Sequence, residues 1–317
     1  MSVRGLSLLS RGALPPSPRR PGGGAVVRWL TRRGTLHLTL IGIVLLWSVP
    51  TLALFLSSFR SPADIALSGW WNIVTELGDL TLDNYDAVIN QNGIGSAFVN
   101  SLIVTVPSTI VVLLVASVAA YAFAWMRFPG RNVLFLIVVG LLVVPLQMTF
   151  IPLLQLYKGL TIDADIPVLG GNIFGTSSYP GIWIAHAGFG LPFAVYLLRN
   201  FLGSLPRDLL EAAYMDGASD LQVFFKVALP LSVPALASLA IFQFLWVWND
   251  LLVALVFLQD PDLAPMTLRV STLVSSFGQD YELLTAAAFV SMIVPLVIFL
   301  ALQRFFVQGL LAGSVKG

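Results

Sequence analysis

Polar side chains at helical spacing inside an apolar stretch are the first candidates for chemistry. Gln243, Trp246 and Asp250 stand at i, i+3 and i+7, which puts them on one face of a helix with Asn249 beside them. Amides and flat rings suit an uncharged, hydroxyl-rich solute better than an ion. The same groups also serve as hydrogen-bond partners between membrane helices, an ambiguity that Gln147 and Gln155 share. Asp250 stands apart, since an ionisable group within a span is costly and is usually functional or paired. His186 could pair with Ser177 or Ser178 as a membrane protease would, but those serines flank Gly175 and Pro180, with no strand or helix to position a nucleophile. His37 and His186 are too far apart in sequence to suggest a metal site, and cysteine is absent. The only lysines, Lys158, Lys226 and Lys316, precede Gly, Val and Gly, so no phosphate loop ending in Gly-Lys-Ser/Thr exists. We expect no catalytic residue, no metal and no cofactor in this chain.

The elements that carry these residues must lie in lipid. Of the residues, 57% are hydrophobic and 10% charged, against roughly one-quarter charged in a soluble domain. Apolar stretches at about 36–58, 99–124, 133–155, 181–201, 232–257 and 284–307 are each long enough to cross a hydrocarbon core as a helix. The expected fold class is an all-α polytopic membrane protein of six transmembrane helices. Residues 1–33, rich in Arg, Pro and Gly, read as a disordered tail, and 34–317 as one membrane domain. Seven arginines and no acid precede the first span, which holds the N-terminus in the cytoplasm. Alternating the spans from there leaves only Arg60, Lys158 and Arg269 of the seventeen Lys and Arg on the outer side, and brings the C-terminus back inside. The composition points to membrane lipid as solvent and to no nucleic-acid partner.

The loop at about 204–230, between the fourth and fifth spans, is too apolar for a solvated turn. Pro206 suits a first helical turn, and Asp208 complements the positive helix end. Ala212 and Ala213 would let another surface approach closely, while Glu211 adds one charge. Gly217 permits the left-handed conformation that ends a helix. Phe224 and Phe225 are then expected to anchor a second segment before Pro230 opens the next span. The expectation is helix, turn, helix, suited to passing motion between a partner and the spans.

These residues carry a family resemblance. Glu211-Ala212-Ala213, Asp216-Gly217-Ala218 and Leu229-Pro230 resemble the "EAA" loop of binding-protein-dependent ABC importer permeases. The likeness extends over about 95–310: Asn100-Ser101-Leu102, Ala120-Tyr121-Ala122 with Phe128-Pro129-Gly130-Arg131, Trp248-Asn249-Asp250 and the tail from Arg304 to Gly317 are similar to maltose-type permeases. The resemblance implies a type I ABC importer transmembrane domain, a non-catalytic permease of the bacterial or archaeal inner membrane. It also implies a second permease subunit, two ATP-binding cassette subunits carrying ATP and Mg, and an extracytoplasmic sugar-binding protein. Glu211, Ala212, Ala213, Asp216, Gly217, Ala218 and Pro230 would couple to the ATPase, which the tail would touch through Gly309, Gly313 and Lys316. The substrate would be a sugar or oligosaccharide, and Ser68-Gly69-Trp70-Trp71 is similar to permeases of α-glucosides. The alternative is an ion-driven secondary carrier, which would need several intramembrane carboxylates where only Asp250 qualifies.

Overall fold

The computed structural model describes residues 23–74, 80–160, 175–274 and 280–314, with the side chains of 23–32, 74, 160 and 304–314 left out. Its principal helices are α1 (Gly23–Ser57), α2 (Ile94–Trp125), α3 (Arg131–Gly140), α4 (Leu146–Leu160), α5 (Tyr179–Gly203), α6 (Arg207–Met215), α7 (Val233–Trp248), α8 (Leu252–Phe257), α9 (Met266–Val274) and α10 (Tyr281–Ser314). Among the described residues the only β pairing is a single bridge between Arg60 and Leu80. The chain divides into two units, residues 1–53 and 54–317.

The first unit is most of α1. It starts at Gly23, two residues after Pro21, so 23–33 of the stretch expected to be a tail are helical. Residues 1–22 lie outside the described residues.

In the second unit α2 packs along α5, and α7 packs against both α2 and α10. Four helices, α2, α5, α10 and the part of α1 from Arg33, are long and apolar enough to cross a membrane, and two bent pairs raise the number to as many as six. Those bends interrupt the third apolar stretch and set off the start of the fifth. The third breaks by 109° between 131–143 and 146–159. Pro145 supplies no backbone donor and forces Val144 into the extended region, where ψ is 119°. The fifth bends by 72° at Ser232, ahead of α7, and stops at Trp248 rather than running on to residue 257.

Side-chain bonds lock the helices to their loops. The Asn100 amide on α2 donates to the carbonyls of Asp262 (2.7 Å) and Ala264 (3.1 Å), and its oxygen accepts from the Tyr179 hydroxyl at 2.8 Å. Ser101 Oγ accepts from the backbone N–H of Met266 at 2.7 Å. The motif Asn100-Ser101 thereby fixes the connection from α8 to α9 against both α2 and α5. Trp248, 1% exposed, donates to the Ser291 carbonyl and ties the end of α7 to α10.

Candidate functional site

Two places gather the candidate residues. The first is α6 and its turn. Pro206 sits one residue ahead of α6, and Asp208 lies in its first turn. Gly217 adopts φ +80°, and the chain closes around it as a Schellman motif: Gly217 N–H donates to the Tyr214 carbonyl and Ala218 N–H to that of Ala213. A capping box follows at once, with Ser219 and Gln222 each accepting from the other's backbone N–H. Helix, left-handed turn and helix are therefore specified locally.

One face of α6 is fastened inward. Leu210 is buried among α2, α5 and the segment after the turn, and Ala213 and Ala218 pack on the same cluster. The Tyr214 and Tyr121 hydroxyls are 3.1 Å apart, and Tyr214 also donates to Asp220 at 2.8 Å. Burial first, then the hydrogen bonds to Tyr121 and Asp220, raises the Tyr214 phenol above its ordinary pKa. Glu211, Ala212, Met215, Asp216 and Gly217 are exposed. The expectation for Ala212 and Ala213 divides accordingly: Ala212 is open to another surface, whereas Ala213 faces this chain's own core. Phe224 is buried with its ring 5.2 Å from Tyr121, whereas Phe225 is 60% exposed with its ring edge-on to Phe224 at 4.9 Å. Pro230 is exposed in the last turn before the bend at Ser232. Gly309 and Gly313 belong to α10 by backbone, and Lys316 lies outside the described residues.

The second place is the cleft between α5 and α7. Gln243 is buried, yet its Nε2 has no partner. It faces Gly190, where any Cβ would stand 2.6 Å from Gln243 Oε1. Around the pair is a cavity of about 280 Å³, lined by Phe189, Gly190 and Phe193 from α5 and by Phe242, Gln243 and Trp246 from α7. Asn249 and Asp250 do not share this face, since α7 ends at Trp248. Asn249 folds back to the Leu245 carbonyl, and the Asp250 carboxylate accepts from the backbone N–H groups of Val253 and Ala254, starting α8 as a cap would. Gln147 is exposed in the first turn of α4, outside the cavity.

His186, 1% exposed on α5, places its Nε2 3.9 Å from Asp250 Oδ2 and its ring edge-on to Trp246. Ser178 caps α5, and Ser177 Oγ accepts from Gln259 N–H, so neither serine meets His186 as a nucleophile would. Sequence reasoning missed Gly190, Phe193 and Phe242. The Gly-Phe-Gly run at 188–190 inside a span was the available signal, since glycine within a helix there lets a neighbour approach closely.

The model of the family described as binding-protein-dependent transport system inner membrane component matches residues 98–312. The chain belongs to that family. It is a transport permease and a non-catalytic subunit. Among its relatives is the osmoprotective compounds uptake permease protein GgtD of Synechocystis, 52% identical and covering 89% of this chain and 91% of the relative. The alpha-glucoside transport system permease protein AglG of Rhizobium meliloti is 43% identical over 89% of this chain and 97% of its own. A crystal structure of a bacterial ABC transporter that imports alginate contains a chain with the same fold, at TM-score 0.65 and 16% identity, covering 89% of this chain and 98% of that one. Glu211, Ala212 and Ala213 lie on α6, within the matched residues.

Proposed function

We propose that this permease is one half of the membrane pathway of an ATP-driven, binding-protein-dependent importer of a neutral sugar or glycoside, and that α6 is the element that receives the ATPase's motion. The observation that carries the reading is the build of α6: exposed along Glu211, Ala212 and Met215, and fixed to α2 and α5 through Leu210 and Tyr214. A partner that grips the outer face must move the span ends with it, which is how closure elsewhere becomes a change in the pathway.

The remaining parts follow from this reading. ATP and Mg bind two ATP-binding cassette subunits, since this chain has no phosphate loop. A second permease completes the pathway, and an extracytoplasmic binding protein delivers the solute; the alginate transporter has been solved with an oligosaccharide-bound periplasmic protein. The basic residues put both chain ends and α6 on the cytoplasmic side. The α10 tail through Gly309, Gly313 and Lys316 would meet the ATPases, and Asp216, Ala218 and Pro230 would shape the docking turn. Relatives described as permeases for alpha-glucosides, arabinooligosaccharides and diacetylchitobiose support a carbohydrate substrate.

ATP hydrolysis by the transporter complex purified through this chain and placed in nanodiscs tests the reading. The expected result is stimulation by sugar-loaded binding protein that Glu211→Ala with Gly217→Pro removes. Absence of any co-purifying ATPase, with uptake driven by an ion gradient, would overturn it.

A further inference from the structure

We propose that the hollow at the start of α3 binds the phosphate headgroup of an anionic phospholipid of the inner leaflet, an inference that rests on the topology proposed above and not on the identity of the solute. A cavity of about 480 Å³ lies there, lined by Arg127, Phe128, Gly130, Arg131, Asn132 and Val133. The two guanidinium groups and the Asn132 amide are donors, and no carboxylate is among the lining residues. Between the arginines the chain turns at Gly130, whose φ is +77°, so that both reach one cavity. Arg131 is held in place, since its Nη1 donates to the Met126 carbonyl at 3.0 Å. Arg127 is exposed. Neither arginine has a carboxylate within ion-pair distance among the described residues, where the one such contact joins His186 and Asp250. Two uncompensated positive charges therefore face the hollow.

A third cation stands close by. Arg199 of α5 lies over the Phe135 ring, 4.7 Å from its centre, and Phe135 is one helical turn from Arg131 on the same face of α3. The location selects lipid as the source of the phosphate. The apolar stretch read from the sequence starts at residue 133, two positions past Arg131, which sets the cavity at headgroup depth. Val133, Leu134, Leu136 and Ile137, which follow along α3, are 47–67% exposed. Acyl chains can lie on them while the phosphodiester stays with the arginines, whose forked donors match its two oxygens. A free phosphate gains nothing from that apolar strip. Basic pockets at the cytoplasmic end of membrane helices suit anionic headgroups for these reasons.

The test is native mass spectrometry of the whole transporter complex, purified through this chain and released from nanodiscs of mixed phosphatidylglycerol and phosphatidylcholine. We expect wild type to retain phosphatidylglycerol, with an apparent affinity that falls about fivefold in Arg127→Gln and about 25-fold when Arg131→Gln is added. Lys226→Gln removes a cytoplasmic charge outside the cavity and should leave retention unchanged. Arg131 helps to hold the turn, whereas Arg127→Gln breaks no bond of the fold, so that variant carries the test by itself if the double variant does not assemble. Equal retention of phosphatidylglycerol by wild type and Arg127→Gln overturns the site, as does retention of phosphatidylcholine to the same extent. Displacement of the lipid by millimolar inorganic phosphate overturns it too, since the cavity would then be a site for the free ion. Loss of the ATP-binding cassette subunits from Arg127→Gln, with its lipid unchanged, would give the cavity to a protein. Stimulation of the ATPase by loaded binding protein reports on the importer reading separately: a complex that keeps stimulation and shows no selective lipid removes the site and leaves the importer standing.

Discussion

The turn around Gly217 and the cleft around Gln243 are assembled in contrasting ways. In the turn, a Schellman motif and a capping box follow one another along the chain, and each hydrogen bond joins residues a few positions apart. In the cleft, Gly190 and Gln243 come from different long helices and mean little until α5 and α7 pack. The turn is exposed on its outer face and fastened inward through Leu210, Ala213 and Ala218, as a part that is gripped from outside and must pass motion on requires. The cleft buries the Gln243 amide with its donor unpaired among half-exposed rings, a feature that only the packing of two helices creates. Perturbations should therefore separate the two: damage to the turn should abolish coupling and spare the solute, and damage to the cleft should do the reverse.

The largest expected effect is at Gly217. No atom lies within 4 Å of a Cβ built there, so only its φ of +80° resists substitution. Gly217→Val should remove most of the stimulated ATPase activity, while Gly217→Asn, which tolerates the left-handed region, should keep much of it. Equal loss in both would show that the turn's shape is not what matters. Next is Gly190→Leu, which must expel the Gln243 amide. Uptake by proteoliposomes should fall at least about tenfold, with the complex still assembled around α6. A transport rate unchanged by this variant would erase the contrast between the regions.

Smaller effects sharpen it. Asp250→Ala removes the acceptor for Val253 and Ala254 N–H and should destabilise the start of α8 by about 1 kcal/mol, read as a lower melting temperature, with Asp250→Asn retaining most of it. The smallest is the Tyr121–Tyr214 contact. A double-mutant cycle with Tyr121→Phe and Tyr214→Phe should give a coupling of about 0.5–1.5 kcal/mol. Because the folded loop raises the Tyr214 pKa, this contribution is fully present below the unfolded value of about 10 and is lost only as pH rises through the higher folded value. Docking should thus be flat from about pH 6 to 9 as far as Tyr214 is concerned.

The same contrast explains what could be read from sequence. Four spans were legible as continuous apolar runs, because lipid leaves helix as the way to satisfy the backbone. The other two did not run on: Pro145 withheld a donor and broke the third, while the fifth bends at Ser232 and stops at Trp248, where Asp250 offers its carboxylate to Val253 and Ala254 in place of the helix ladder. Periodicity alone ran straight through both. It also placed Asn249 and Asp250 on a helical face that stops at Trp248. The α6 turn was legible almost residue by residue, since Pro206, Asp208 and Gly217 act on their own neighbours. Ala213 was misjudged because its side chain points where tertiary packing, not composition, decides.

The length of α10 has a mechanical consequence. Its 34 residues rise about 51 Å at 1.5 Å each, against a hydrocarbon slab of about 30 Å. Roughly four turns therefore stand clear of the oil as a stiff stalk. A stalk differs from a tether: it does not coil up slack, so any lean of the buried shaft is magnified at its tip. A protein clasping the far end would sense the angle of the helix within the bilayer without touching the passage through it.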